Sequence, residues 1–144
     1  MADFLKFLPI VTKNEGLYDN DPDDPGGETC WGLTRRDEPQ WEGWPLIDQV
    51  KKSASNPNNA TEVRDLLKPV AEQLRLMTAP IYKPMYWDVV GGDRILSQQL
   101  ANKFAEQAVV QGTGTAIRMM EASLGITRDG NLDDELINML NATL

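Results

Sequence analysis

Apolar residues at Phe4, Leu8 and Val11 follow an i, i+4, i+7 spacing that lays one stripe along a helix. The spacing predicts a helix over residues 3–15, with Asp3 as its N-cap and Pro9 as a kink or a late start. Four residues past Val11 the stripe reaches Glu15, so a carboxylate stands on the line that otherwise faces a core. A longer rhythm of Val63, Leu66, Leu67, Val70, Leu74, Met77 and Ile81 follows Asn59, with Glu62 three residues on in capping-box spacing. Pro69 divides this stretch into two helices, and Pro80 and Pro84 end it. Leu100, Phe104 and Ala108 predict a helix over 97–111, broken at Gly112. Ile117, Met120 and Leu124 predict another, closed by Gly125 as a C′ glycine, and a last helix covers 133–142 with acids in its first turn.

The stretch 16–32 cannot be helical. Pro22, Pro25 and the glycines at 16, 26, 27 and 32, set among Asp19, Asp21, Asp23 and Asp24, predict a loop that returns as a short hairpin over 28–33. Residues 37–58 read as a Trp- and Pro-containing loop with one short helix at 46–51, and a polar linker spans 53–59. No internal repeat interrupts this order. The expected fold class is mainly α, with one small β-hairpin, in a single domain.

Composition narrows the function. The 144 residues hold 41% hydrophobic and 25% charged side chains, a globular profile. Lys and Arg number 14 against 22 acids, a net charge of −8, which argues against nucleic acid and anionic membranes as partners. The chain has no histidine, which removes His triads and His-ligated zinc. Carboxylates are then the expected proton handlers. Cys30 is the one cysteine, so no intrachain disulfide forms, and a buried structural thiol is the expectation. No apolar run reaches the ~18–20 residues of a membrane span. The apolar start is interrupted by Lys6, carries Asp3 where a signal peptide would be basic, and lacks a small-residue cleavage site, so no signal peptide is expected.

Glu15 has two readings: a solvated helix-end residue, or a general acid at a cleft wall whose apolar neighbours disfavour its charged form. Asp19, Asp21 and Asp23 match the first ligand positions of an EF-hand loop, but Asp24 stands where glycine is needed and Cys30 where the bidentate Glu belongs. No metal or other cofactor is expected, and the acidic loop should bond its own backbone. The tryptophans and tyrosines are core by default, although a few could line a sugar-binding groove.

The run Asn14-Glu15-Gly16-Leu17-Tyr18, then Asp21-Pro22-Asp23-Asp24-Pro25-Gly26-Gly27-Glu28-Thr29, then Gly32-Leu33-Thr34, resembles the N-terminal signature of glycoside hydrolase family 108. Tyr86-Trp87-Asp88 with Gly92-Asp93, the helix from Phe104 to Gly112, and the tail Leu124-Gly125-Ile126 with Asp129-Gly130 are similar to further family motifs. The sequence departs from the family pattern at Asn14, Leu17, Glu106, Val110, Asp133 and Asp134.

The resemblance implies a lysozyme-like N-acetylmuramidase of the kind found as phage endolysins. Residues 1–36 would carry the catalytic Glu helix, the Pro-Gly-Gly loop and the hairpin. Residues 37–60 would be a loop-rich insert, 61–111 the helical core, and 112–144 a peptidoglycan-binding-like tail. Glu15 is implied as the catalytic acid, with Glu28 and Thr29 beside it in the catalytic set and Asp21 in reserve as second carboxylate. Asp21, Trp31, Tyr86 and Gln111 are the expected substrate contacts. Glu15 is expected to be the more shielded of the two glutamates. The partner would be a peptidoglycan glycan strand in the periplasm or cell wall, met by a monomer that a holin or a secretion system could export. A non-catalytic wall-binding or secretion-accessory protein is the alternative reading.

Overall fold

The computed structural model describes residues 1–142 and is mainly helical, with one three-stranded antiparallel sheet. Packing gathers the chain into two compact units, residues 12–79 in one, and residues 1–11 with the segment from Pro80 onward in the other.

The unit of residues 12–79 begins with the end of α1 (Phe4–Lys13). The chain leaves that helix before the stripe reaches Glu15, whose N–H donates to the Thr12 carbonyl at 3.1 Å. β1 (Tyr18–Asn20), β2 (Glu28–Cys30) and β3 (Leu33–Thr34) follow in sheet order β1-β2-β3. The expected hairpin over 28–33 is present as β2 and β3. β1 was expected as loop, because three residues among aspartates show no usable alternation.

α2 (Gly43–Lys51), α3 (Ala60–Leu67), a 3-10 turn at Lys68–Val70 and α4 (Ala71–Met77) complete this unit. α2 starts three residues earlier than expected, because Pro45 falls in its first turn, where a missing N–H costs little. The split at Pro69 is as expected. Asn59 caps α3 by accepting the Glu62 N–H at 3.1 Å. Glu62 does not return to Asn59; its carboxylate takes the N–H groups of Ser55 and Asn56, both at 2.8 Å, and so pins the polar linker. Trp41, Trp44, Ile47, Val63, Leu67 and Leu74 are buried beside Tyr18, Cys30 and Leu33. Trp41 meets Trp44 edge-on, with centroids 5.1 Å apart. Their indole N–H groups reach the carbonyls of Met77 and Glu38.

The other unit packs the apolar face of α1 around Trp87, with Phe4 and Phe7 centroids 5.9 and 5.6 Å from its ring. Asp3 caps α1, accepting the Leu5 N–H at 2.9 Å. A short helix, α5 (Ala79–Tyr82), begins at the unit boundary and runs into a π-turn at Lys83–Trp87. Gly92 lies flat against Trp87, where a Cβ would come within 2.2 Å of the indole. α6 (Gln98–Gln111), α7 (Thr113–Leu124) and α8 (Asp134–Ala142) supply Phe104, Ile117, Leu136, Ile137 and Leu140 to this core. Ser97 and Asp133 cap α6 and α8. Gly125, at φ 72°, ends α7 as expected. Buried Glu121 accepts the N–H groups of Asp129 and Gly130, tying the tail turn to α7.

Candidate active site

Strand alternation decides which side chains of the sheet can meet a ligand, because successive residues point to opposite faces. On one face lie Tyr18, Glu28, Cys30 and Leu33, all buried. On the other, Thr29 stands directly across from Asp19 on β1 and from Thr34 on β3. Asp19 is exposed, Thr29 and Thr34 partly so. Glu28 and Thr29, implied as neighbours in one catalytic set, therefore serve opposite faces of the sheet.

The closed face holds a dense charge cluster. Glu28 Oε1 accepts from Arg35 at 2.8 Å, and Oε2 accepts from the Tyr18 hydroxyl at 2.5 Å and from Lys51 at 2.9 Å. Arg35 also grips both oxygens of Asp48, at 2.8 and 2.6 Å, and its guanidinium lies over the Trp44 ring at 5.3 Å. Burial pushes the Glu28 carboxyl up, but the hydrogen bonds from Tyr18, Arg35 and Lys51 outweigh it and hold Glu28 below the usual carboxylate range. The Arg35 hydrogen bonds likewise hold Asp48 low, against a smaller push from burial. Burial and the Glu28 contact push the Tyr18 hydroxyl far up, so it stays a neutral donor. Burial pushes the Cys30 thiol up to about 12, as befits an inert structural cysteine.

The expected order of shielding is reversed. Glu28 is 8% exposed, whereas Glu15 stands in the exposed turn past the end of α1, so its apolar shielding is not formed in the free protein. Asp21 is exposed at the end of β1 and accepts the Asp23 N–H at 2.9 Å, while Asp24 accepts the Gly26 N–H at 2.9 Å. The acidic loop thus bonds its own backbone, as expected. Among the described residues no group of three or more His, Cys, Asp or Glu side chains is placed to hold a metal ion. Trp31 sits just after β2 with φ 48°, and its indole N–H donates to the Ala71 carbonyl at 3.0 Å.

Glu15, Asp21, Glu28, Thr29 and Trp31 thus share one unit of the chain. Tyr86 and Gln111 belong to the other, Tyr86 stacked on Tyr82 at 5.8 Å and Gln111 exposed at the end of α6.

Sequence reasoning missed Asp19, Tyr18, Arg35, Asp48 and Lys51. The signal for the first two was the alternation Tyr18-Asp19-Asn20, legible once β1 is paired with β2. Arg35, Asp48 and Lys51 carry no local signature, since they meet Glu28 across 7 to 23 residues of chain or, for Asp48, through Arg35.

An acid-bearing turn beside a small sheet, on an otherwise helical scaffold without histidine, has the residue types of a carboxylate-dependent glycosidase. The family comparison agrees: the profile of glycosyl hydrolase 108 matches residues 8–112, and the chain belongs to that family. Among solved structures it is similar to Brucella abortus SagA, with 27% identity and a TM-score of 0.53 over 96% of this chain and 68% of that one. No curated protein sequence matches. Among the described residues no helix is long and apolar enough to cross a membrane.

Proposed function

We propose that this domain is a peptidoglycan hydrolase that cleaves the β-1,4 bond between N-acetylmuramic acid and N-acetylglucosamine. The observation that carries the reading is an exposed glutamate, Glu15, three residues before a sheet whose open face presents Asp19 across from Thr29, in a chain of the glycosyl hydrolase 108 family.

Glycoside hydrolysis needs a neutral acid to protonate the leaving oxygen and an anion to stabilise the oxocarbenium-like state or direct water. Glu15 is the acid in this scheme. A glycan seated beside it would bring the leaving oxygen within reach of its carboxyl. The anion comes from the open side of the β1 hairpin, Asp19 or Asp21, and the Thr29 hydroxyl orients water or substrate beside it. Trp31 offers an apolar ring to a sugar face. The cell wall is the place of action, and the net charge of −8 slows encounter with an anionic wall until salt screens it.

Digestion of purified peptidoglycan, with products identified by mass after borohydride reduction, tests this. Fragments ending in reduced N-acetylmuramic acid are expected. Fragments ending in reduced N-acetylglucosamine would assign the wrong bond, and wall binding without any cleavage would favour a non-catalytic binder.

A further inference from the structure

The cluster around buried Glu28 extends through part-exposed Arg35, Lys51 and Asp48, well beyond a single ion pair. Four charged side chains meet there, Glu28 and Asp48 against Arg35 and Lys51, so their formal charges cancel. They come from β2, from the residue after β3, and from two positions on α2, and Tyr18 adds the hydroxyl of β1. Every strand of the sheet, or the residue that leaves it, is thus tied to one carboxylate. Both Glu28 oxygens are occupied, and to reach a glycan the side chain would have to shed three donors and turn to the opposite face. The residue that does reach the open face, Thr29, is the next one along the same strand.

We propose that Glu28 is a positioning residue, and that the neutral tetrad it forms with Arg35, Lys51 and Asp48 clamps the closed face of the sheet so that Thr29 and Asp19 are held in working register on the open face. The catalytic half of this statement rests on the hydrolase reading above; the clamp does not.

Charge arithmetic supplies the test. Glu28→Gln keeps the shape but leaves Arg35 and Lys51 facing Asp48 alone. Adding Lys51→Met returns the cluster to one Arg–Asp pair. A side chain that acts on the sugar cannot be replaced by deleting a lysine, whereas a clamp can be rebalanced. Two amides report the clamp directly: Arg35 N–H, bonded to the Glu28 carbonyl at 2.9 Å, and Trp31 N–H, bonded to the Leu17 carbonyl at 3.1 Å.

In Glu28→Gln, hydrogen exchange at these amides should quicken about tenfold or more, and kcat on peptidoglycan should fall about tenfold with KM within a factor of about three. In Glu28→Gln/Lys51→Met both should return to within about threefold of wild type. A Glu28→Gln enzyme that loses activity while exchange stays native, and that Lys51→Met does not restore, would overturn the proposal and make Glu28 a group that touches substrate. Native exchange together with native kcat would overturn it too. If the wild-type protein cleaves no peptidoglycan, the hydrolase reading fails, and exchange alone decides the clamp: loss and recovery uphold it, unchanged exchange refutes it. Should Glu28→Gln fail to fold, Tyr18→Phe removes one donor and must quicken the same two amides; no change there would refute the clamp.

Discussion

The two faces of one small sheet put carboxylates under opposite conditions. On the closed face Glu28 is buried, ionised and bonded through both oxygens to Tyr18, Arg35 and Lys51. On the open face Asp19 is exposed, accepting the Asn20 N–H at 2.9 Å with Arg64 at 4.0 Å, and Glu15 stands exposed just upstream. A carboxylate with donors on both oxygens is a good fastener and a poor reagent. One with free lone pairs in water contributes little to stability and is available to a ligand. Under the proposed mechanism stability rests on buried Glu28 and chemistry on the exposed acids and on Thr29, the next residue along the same strand.

Mutations should separate the faces sharply. Glu28→Ala leaves Lys51 without its carboxylate and Arg35 with Asp48 alone, and should cost about 3 kcal/mol in urea unfolding, whereas Glu15→Ala should stay within about 0.5 kcal/mol of wild type. Equal losses would abolish the contrast. A smaller effect follows at the adjacent strand positions. Cys30→Ser buries a hydroxyl in an apolar site and should cost about 1–2 kcal/mol with hydrolysis retained, while Thr29→Val should keep stability and lose activity.

The contrast also has a pH signature. Glu28 and Asp48 are held below their ordinary values of 4.5 and 3.8, so the unfolded chain binds more protons than the folded one at these groups. Their stabilisation is complete above the unfolded values and is lost as pH falls through the lower folded ones. Urea midpoints measured from pH 7 to pH 3 should therefore drop on the acid side, and Glu28→Gln should flatten that limb. The smallest expected effect is none: calcium or a chelator should leave the melting temperature unchanged, because Asp19, Asp21 and Asp24 already accept backbone N–H groups, the latter two in Asx turns. A calcium-dependent rise of several degrees would reassign them as an ion cage.

The sequence disclosed the helices better than the site. Periodic apolar residues marked α1, α3, α6 and α7, and proline and glycine marked the breaks at Pro69, Gly112 and Gly125, because these signals are local. β1 was illegible, since its pairing partner lies eight or more residues on, beyond a proline-rich loop. The same gap hid the site. The stripe pointed Glu15 at the core only while the helix was allowed to continue, and α1 stops at Lys13. Glu28 entered the expected catalytic set through the Glu28-Thr29 pair of the family resemblance. Its actual partners, Arg35 and Lys51, come from β3's end and from α2, and only the folded chain brings them together.

In the proposed mechanism the exposed carboxylate of Glu15, not the buried one of Glu28, gives the proton. This assignment is tested most directly by comparing wild type and Glu15→Gln for release of soluble muropeptides from purified peptidoglycan, with thermal melts of both proteins. The account predicts a rate at least about 10²-fold lower for Glu15→Gln, with an unchanged melting temperature. A Glu15→Gln rate within about threefold of wild type would contradict it, since a glutamine has no acidic proton to donate.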